Sequence, residues 1–152
     1  MFDPWRHVGV SDPFNLYPNQ LQNQKTESEK PRTKKAVVLV VDDERVIADS
    51  MTEILKRSGF NAVCAYDGLS ALELALRVNP DFVVTDVVMP RMNGVQLAIA
   101  IRKAMPATEI LLLSGQAGIT EIVEGGRKEG YLFELIAKPI HPEKLLQRLR
   151  ML

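Results

Sequence analysis

The sequence predicts an α/β fold built on a parallel sheet. Two observations carry that prediction. Five short apolar, β-branched runs alternate with helix-like stripes across residues 36–152. The first, third and fourth runs are almost continuously apolar, as strands covered on both faces have to be. Strand-to-strand connections of this kind are right-handed crossovers in nearly every parallel sheet.

The runs are Ala36–Val41, Asn61–Ala65, Asp81–Asp86, Glu109–Leu113 and Tyr131–Ala137. After the first, Ile47, Met51, Ile54 and Leu55 repeat at i, i+4, i+7 and i+8, one face of a helix, and Gly59 offers its stop. After the second, Asp67-Gly68 makes a turn, and Leu72, Ala75 and Leu76 mark a second helix. Pro90 and Gly94 shape the loop after the third run, and Leu97, Ala98, Ile101 and Met105 mark a third helix. Ile119, Ile122 and Val123 open a fourth helix, which Gly125-Gly126 is expected to weaken or end. Leu145, Leu146 and Leu149 mark a fifth, with Pro142 in the first turn and His141 at its start.

Composition divides the chain near residue 35. Residues 1–35 hold 9 apolar residues, whereas residues 36–152 hold 61 of 117. The first segment cannot bury enough apolar surface to offset its ordering entropy and is expected to be a largely disordered extension, with one domain at 36–152. Phe2, Trp5, Phe14 and Tyr17 nevertheless fall in the extension. That leaves two readings of it, an irregular leader or a docking segment.

Lys+Arg and Asp+Glu balance at 19 each, so no basic excess argues for nucleic acid. The lone cysteine, Cys64, excludes an internal disulfide framework and reads as a small core residue. The longest apolar run, Ala36–Val41, is far short of the ~20 residues that span a bilayer, and no signal-peptide pattern opens the chain. A cytoplasmic protein without membrane insertion is the expectation.

In such sheets the ligand site lies beyond the carboxyl ends of the strands. The first run ends in Asp42-Asp43-Glu44, the third in Asp86, the fourth in Ser114 and the fifth in Lys138. Three clustered acids repel one another unless a cation sits among them or one takes a proton. A hard ion such as Mg²⁺, commonly held by carboxylates and phosphate oxygens, fits that set. Ser114 can donate to a phosphoryl oxygen, and Lys138 supplies a compact positive charge. A carboxylate attacking phosphorus gives an aspartyl phosphate, and Asp86, alone on its run, is the natural nucleophile.

Residues 36–152 resemble the receiver domain of two-component response regulators. The resemblance lies in VVLVVDDE at 37–44, VVTDVVMPRMNG at 83–94, LLLSG at 111–115 and AKP at 137–139, in that order. It implies a flavodoxin-like, doubly wound five-stranded sheet of order 2-1-3-4-5 with helices on both faces. It implies phosphorylation of Asp86 by a histidine kinase or histidine phosphotransfer protein. It further implies that Asp43, Asp86 and the backbone carbonyl of Val88 bind Mg²⁺ directly, and that Asp42 helps through water. Ser114 senses the phosphoryl group, Lys138 pairs with it, and the Lys138-Pro139 bond is cis.

Two departures stand out. The family's switch pairs the Ser114 position with an aromatic three residues before the lysine, and here that residue is Leu135. Phe133 is two residues out of step and serves only if the strand shifts or bulges. The segment 116–130 is glycine-rich, and phosphorylation is expected to order it. Val88 offers attacking water no hydrogen bond, while Gln116 has a side chain able to orient one.

Because the chain ends at Leu152, soon after the fifth helix, a single-domain regulator is expected. Such a regulator is expected to lack a DNA-binding or enzymatic output domain and to signal through a protein partner. The enzymatic rival, a magnesium phosphohydrolase, typically carries a second acid two residues after its nucleophile, where this chain has Val88. A phosphorylation-independent module and a nucleotide-binding protein are the other rivals. Neither G-x-G-x-x-G nor a P-loop occurs.

Overall fold

The computed structural model describes residues 34–115 and 119–152. The expected disorder of the extension lies, but for its last two residues, outside the described residues, as does Gln116. Five strands, β1 (Val37–Val41), β2 (Asn61–Ala65), β3 (Phe82–Asp86), β4 (Glu109–Ser114) and β5 (Glu134–Ala137), alternate with five helices. The helices are α1 (Arg45–Arg57), α2 (Gly68–Val78), α3 (Gly94–Ala104), α4 (Thr120–Lys128) and α5 (Pro142–Met151). The sheet runs β2-β1-β3-β4-β5, parallel throughout, which is the implied order.

Two apolar layers hold the helices to the sheet. Val38, Val40, Val84, Leu111 and Leu113 point to the layer that contains Leu55 of α1 and Leu145 and Leu149 of α5. Leu39, Val41, Val83 and Leu112 point to the other, with Ala71 and Ala75 of α2 and Leu97, Ala98 and Ile101 of α3. Burying each large side chain contributes roughly 1.5–3 kcal/mol. At the lower edge the Val37 N–H donates to Asp81 Oδ2 at 2.8 Å, and the Asp81 N–H returns to the Val37 carbonyl at 2.9 Å. Among the described residues, no helix is long and apolar enough to cross a membrane.

Local chemistry sets the helix ends. Asp67 caps α2 by accepting from the Ser70 N–H, and Asn93 and Gln96 form a reciprocal capping box on α3. His141 caps α5, with Pro142 in its first turn. Gly59, at φ 97°, closes α1 as expected. Gly68 packs so tightly on the β3–α3 loop that a Cβ there would lie 2.7 Å from the Cβ of Met92.

Several expectations are corrected. The fifth strand begins at Glu134, not Tyr131. Gly130 closes α4 in the left-handed conformation, and the Tyr131 N–H is spent on the Gly126 carbonyl at 3.0 Å. Gly125-Gly126 do not end α4, which continues to Lys128. Gly126 is instead where α4 meets α3, because a Cβ there would lie 2.8 Å from a Val95 methyl carbon. On α1 the deeply buried stripe is Ala48, Thr52 and Leu55, while Ile47, Met51 and Ile54 face α5 across a groove. Leu76 of α2 points outward, 61% exposed, and Ala71 and Ala75 take the core positions.

Cys64 is half-buried rather than enclosed. Its inner side meets the core, and its thiol donates to Asp49 Oδ1 at 3.5 Å. The Tyr66 hydroxyl donates to the same oxygen at 2.6 Å, and the Arg45 guanidinium lies over the Tyr66 ring. Phe133 precedes β5, lies parallel to Tyr131 and sits beneath Arg102. It therefore does not fill the place of an aromatic on the strand. Leu135, opposite Leu112, keeps that place and is 42% exposed.

Candidate functional site

The carboxyl ends of β1, β3, β4 and β5 lie side by side, because those strands are neighbours in a parallel sheet. Asp42 follows β1 directly, Asp86 ends β3, Ser114 ends β4 and Lys138 follows β5. Asp42 is 3% exposed, Asp86 is half-buried, and Asp43 is open to solvent.

Lys138 ties the edge together. Its Nζ lies 3.0 Å from Asp42 Oδ2 and 3.5 Å from Asp86 Oδ2. The second oxygen of Asp42 accepts the Glu44 N–H at 2.9 Å, so both of its carboxylate oxygens are engaged. The Lys138 backbone is fixed as well, its N–H donating to the Ser114 carbonyl at 2.7 Å. The bond from Lys138 to Pro139 is cis, as the resemblance implies.

The charges do not balance, since one ammonium faces three carboxylates. Burial pushes the Asp86 carboxyl above the usual carboxylate range. Lys138 pulls it down, while Asp42 and Asp43 add to the rise. Burial also works against the Lys138 ammonium, but its hydrogen bond to Asp42 and the charge of Asp86 outweigh it and hold that pKa above its ordinary value. The same pairing thus favours the lysine's charge more than it satisfies Asp86, because Lys138 sits closer to Asp42.

The donor set fits a hard divalent cation. One oxygen each from Asp42, Asp43 and Asp86 can be chosen so that all lie within 4.8 Å of one another. Oxygen-only donors with excess negative charge are what Mg²⁺ takes, together with water and phosphate.

The acids open on a cleft of about 570 Å³ lined by Asp43, Asp86, Val88, Gly115 and Lys138. Asp42 and Ser114 are not in the lining. Ser114 reaches this edge through its backbone, paired with Ala137 and Lys138. The cleft continues into the apolar groove between α1 and α5, about 240 Å³, and Ile47, Met51 and Ile140 line both. Sequence reasoning read Gly94 as a loop-shaping residue and Gly115 as part of a motif, and missed the close contact each makes at the site. A Cβ on Gly115 would lie 3.3 Å from Lys138 Cδ, and one on Gly94 would lie 2.0 Å from the Asp86 carbonyl oxygen. Their positions directly after Ser114 and at the head of the third helical stripe were the available signals.

Comparison with known proteins agrees with this fold. The family described as response regulator receiver domain matches residues 38–150. The probable transcriptional regulatory protein TcrX of Mycobacterium tuberculosis (strain ATCC 25618 / H37Rv) is 36% identical over 115 residues, 76% of this chain and 48% of that protein. The response regulator MprA of Mycobacterium sp. (strain KMS) is 35% identical over the same length, 76% of this chain and 49% of that protein. The chain thus spans about half the length of the curated relatives it matches. Among solved structures, the chemotaxis protein CheY4 of Vibrio cholerae superposes with a TM-score of 0.68 at 30% identity, covering 78% of this chain and 98% of that one.

Proposed function

The chain belongs to the response regulator receiver domain family, and from that premise we propose that it is a switch set by phosphorylation of Asp86. The donor is a histidine kinase or a histidine phosphotransfer protein. We take residues 36–152 as the receiver and residues 1–35 as an extension. The observation that carries the proposal is Lys138 bridging Asp42 and Asp86 at the strand ends beside the open Asp43.

In the proposed reaction an Asp86 carboxylate oxygen attacks the phosphorus of a phosphohistidine. The new O–P bond forms as the P–N bond breaks, and the electron pair leaves with the imidazole. Bound Mg²⁺ supplies charge neutralisation to the phosphoryl oxygens. Asp43, Asp86 and the Val88 carbonyl are the direct ligands in this reading. Asp42, with both oxygens already engaged, supports from behind. Lys138 already faces Asp86 and pairs with the arriving phosphoryl group. The Ser114 hydroxyl senses it.

The apolar groove running from the cleft between α1 and α5 supports docking of the donor there. Output through protein–protein contacts completes the reading, with no turnover of an external substrate. The greater length of TcrX and MprA supports a second reading of the output, in which the receiver governs a segment outside these 152 residues. The size of the native polypeptide on an immunoblot separates the two.

The test is incubation with acetyl phosphate and Mg²⁺. An acid-stable, base-labile adduct that is lost in Asp86→Asn is the expected result. Labelling that persists in Asp86→Asn refutes the acceptor. Turnover beyond one equivalent of a small phosphate ester favours a phosphohydrolase.

A further inference from the structure

Thr85 precedes the acceptor and is wholly buried. Its register partners are Val41 on β1 and Leu112 on β4, and Val83 and Val87 belong to the same apolar layer. A hydroxyl in such surroundings costs free energy unless it is bonded, and a valine would fill nearly the same space without one. The Thr85 hydroxyl makes a bond that leads to the site, donating to the Asp86 carbonyl oxygen at 3.0 Å.

The same oxygen is confined by α3. Gly94 approaches so closely that a Cβ would stand 2.0 Å from it, and the Gly94 N–H donates to the neighbouring Val87 carbonyl at 2.8 Å. On the other side of this peptide the Val87 N–H donates to the Leu113 carbonyl at 3.0 Å, so the Asp86–Val87 plane cannot turn without breaking that bond and the Thr85 bond or striking α3. The Asp86 side chain leaves the Cα that this plane contains, so fixing the plane fixes the point from which the carboxylate reaches to within 3.5 Å of Lys138 Nζ.

We propose that Thr85 is a positioning residue for phosphoryl acceptance, its hydroxyl holding the Asp86 carbonyl and so the direction of the acceptor carboxylate. The proposal rests on Asp86 as the acceptor. An acceptor held within a fraction of an ångström of its attack geometry gains rate through lowered reorganisation.

The test measures the initial rate of base-labile labelling by acetyl phosphate and Mg²⁺ in the full 152-residue chain, at a temperature where circular dichroism shows each variant folded. Thr85→Val, which removes the hydroxyl, is expected to label about five-fold more slowly. Thr85→Ser keeps the hydroxyl but leaves a methyl-sized gap in the core. It is expected to melt at a lower temperature yet label within about two-fold of the parent rate. Rate then follows the hydroxyl rather than stability. If Thr85→Val does not fold, Thr85→Ala takes its place with the same expectation. Parent-like labelling of the variant without a hydroxyl, or Thr85→Ser as slow as that variant, overturns the proposal. An unlabelled parent chain, or undiminished labelling of Asp86→Asn, overturns the acceptor reading instead.

Discussion

At Gly94 the backbone of α3 comes within touching distance of the acceptor strand. An alanine there would place its Cβ 2.0 Å from the Asp86 carbonyl oxygen, a backbone atom that has little room to retreat. Gly94→Ala is expected to cost roughly 1–3 kcal/mol in urea unfolding and to slow acetyl phosphate labelling. An unchanged unfolding midpoint would contradict the contact. Asp42, Asp43, Asp86 and Lys138 were legible as a group because adjacent parallel strands must deliver their carboxyl ends to one edge. The contacts of Gly94, Gly115 and Thr85 were not, since they lie in approaches of 3.3 Å or less between particular atoms. A pattern of apolar and polar positions carries no such distances. Ser114 was legible as the end of β4 on this edge, whereas the bond from the Lys138 N–H to its carbonyl was not.

Among the elements, α2 depends on its cap. Asp67 accepts from both the backbone N–H and the hydroxyl of Ser70, and these bonds hold its carboxyl below the usual carboxylate range. Asp67→Ala is expected to cost about 1 kcal/mol at neutral pH, and Asp67→Asn much less. An acid whose folded pKa is depressed stabilises the fold above its unfolded value, near pH 4, and loses that contribution as pH falls through the folded one. The gap between parent and Asp67→Ala should therefore narrow in denaturant titrations carried below pH 4. A gap independent of pH would mean that the charge-assisted cap contributes nothing.

The fourth and fifth connections show where element boundaries escaped the sequence. Tyr131, Leu132 and Phe133 have strand-like composition, but the turn at Gly130 draws the Tyr131 N–H back to α4. Helix α4 is short and carries two glycines, so its backbone is held largely by contacts such as Gly126 on Val95. Beryllofluoride is expected to raise amide protection across residues 119–130. Equal protection with and without it would refute an ordering role for phosphorylation there.

For the molecule as a whole, the acidic edge sets function against stability. Three carboxylates facing one ammonium store repulsion that the two apolar layers offset. Without divalent ions, Asp86→Asn is expected to be more stable than the parent by on the order of 1 kcal/mol. Mg²⁺ should raise the melting temperature of the parent and raise that of Asp86→Asn less. Equal Mg²⁺-induced shifts in the parent and in Asp86→Asn, each measured by calorimetry against the protein in chelator, would remove Asp86 from the ion's ligands.

The seat of Met92 on Gly68 reaches beyond this one chain. The loop after the acceptor strand and the head of α2 share a space that holds one side chain, and Met92 occupies it. The two positions therefore form one unit of inheritance. Among descendants of this sequence, any bulk gained at 68 should be matched by bulk lost at 92. A lineage carrying a large residue at both would have had to move α2 away from the loop.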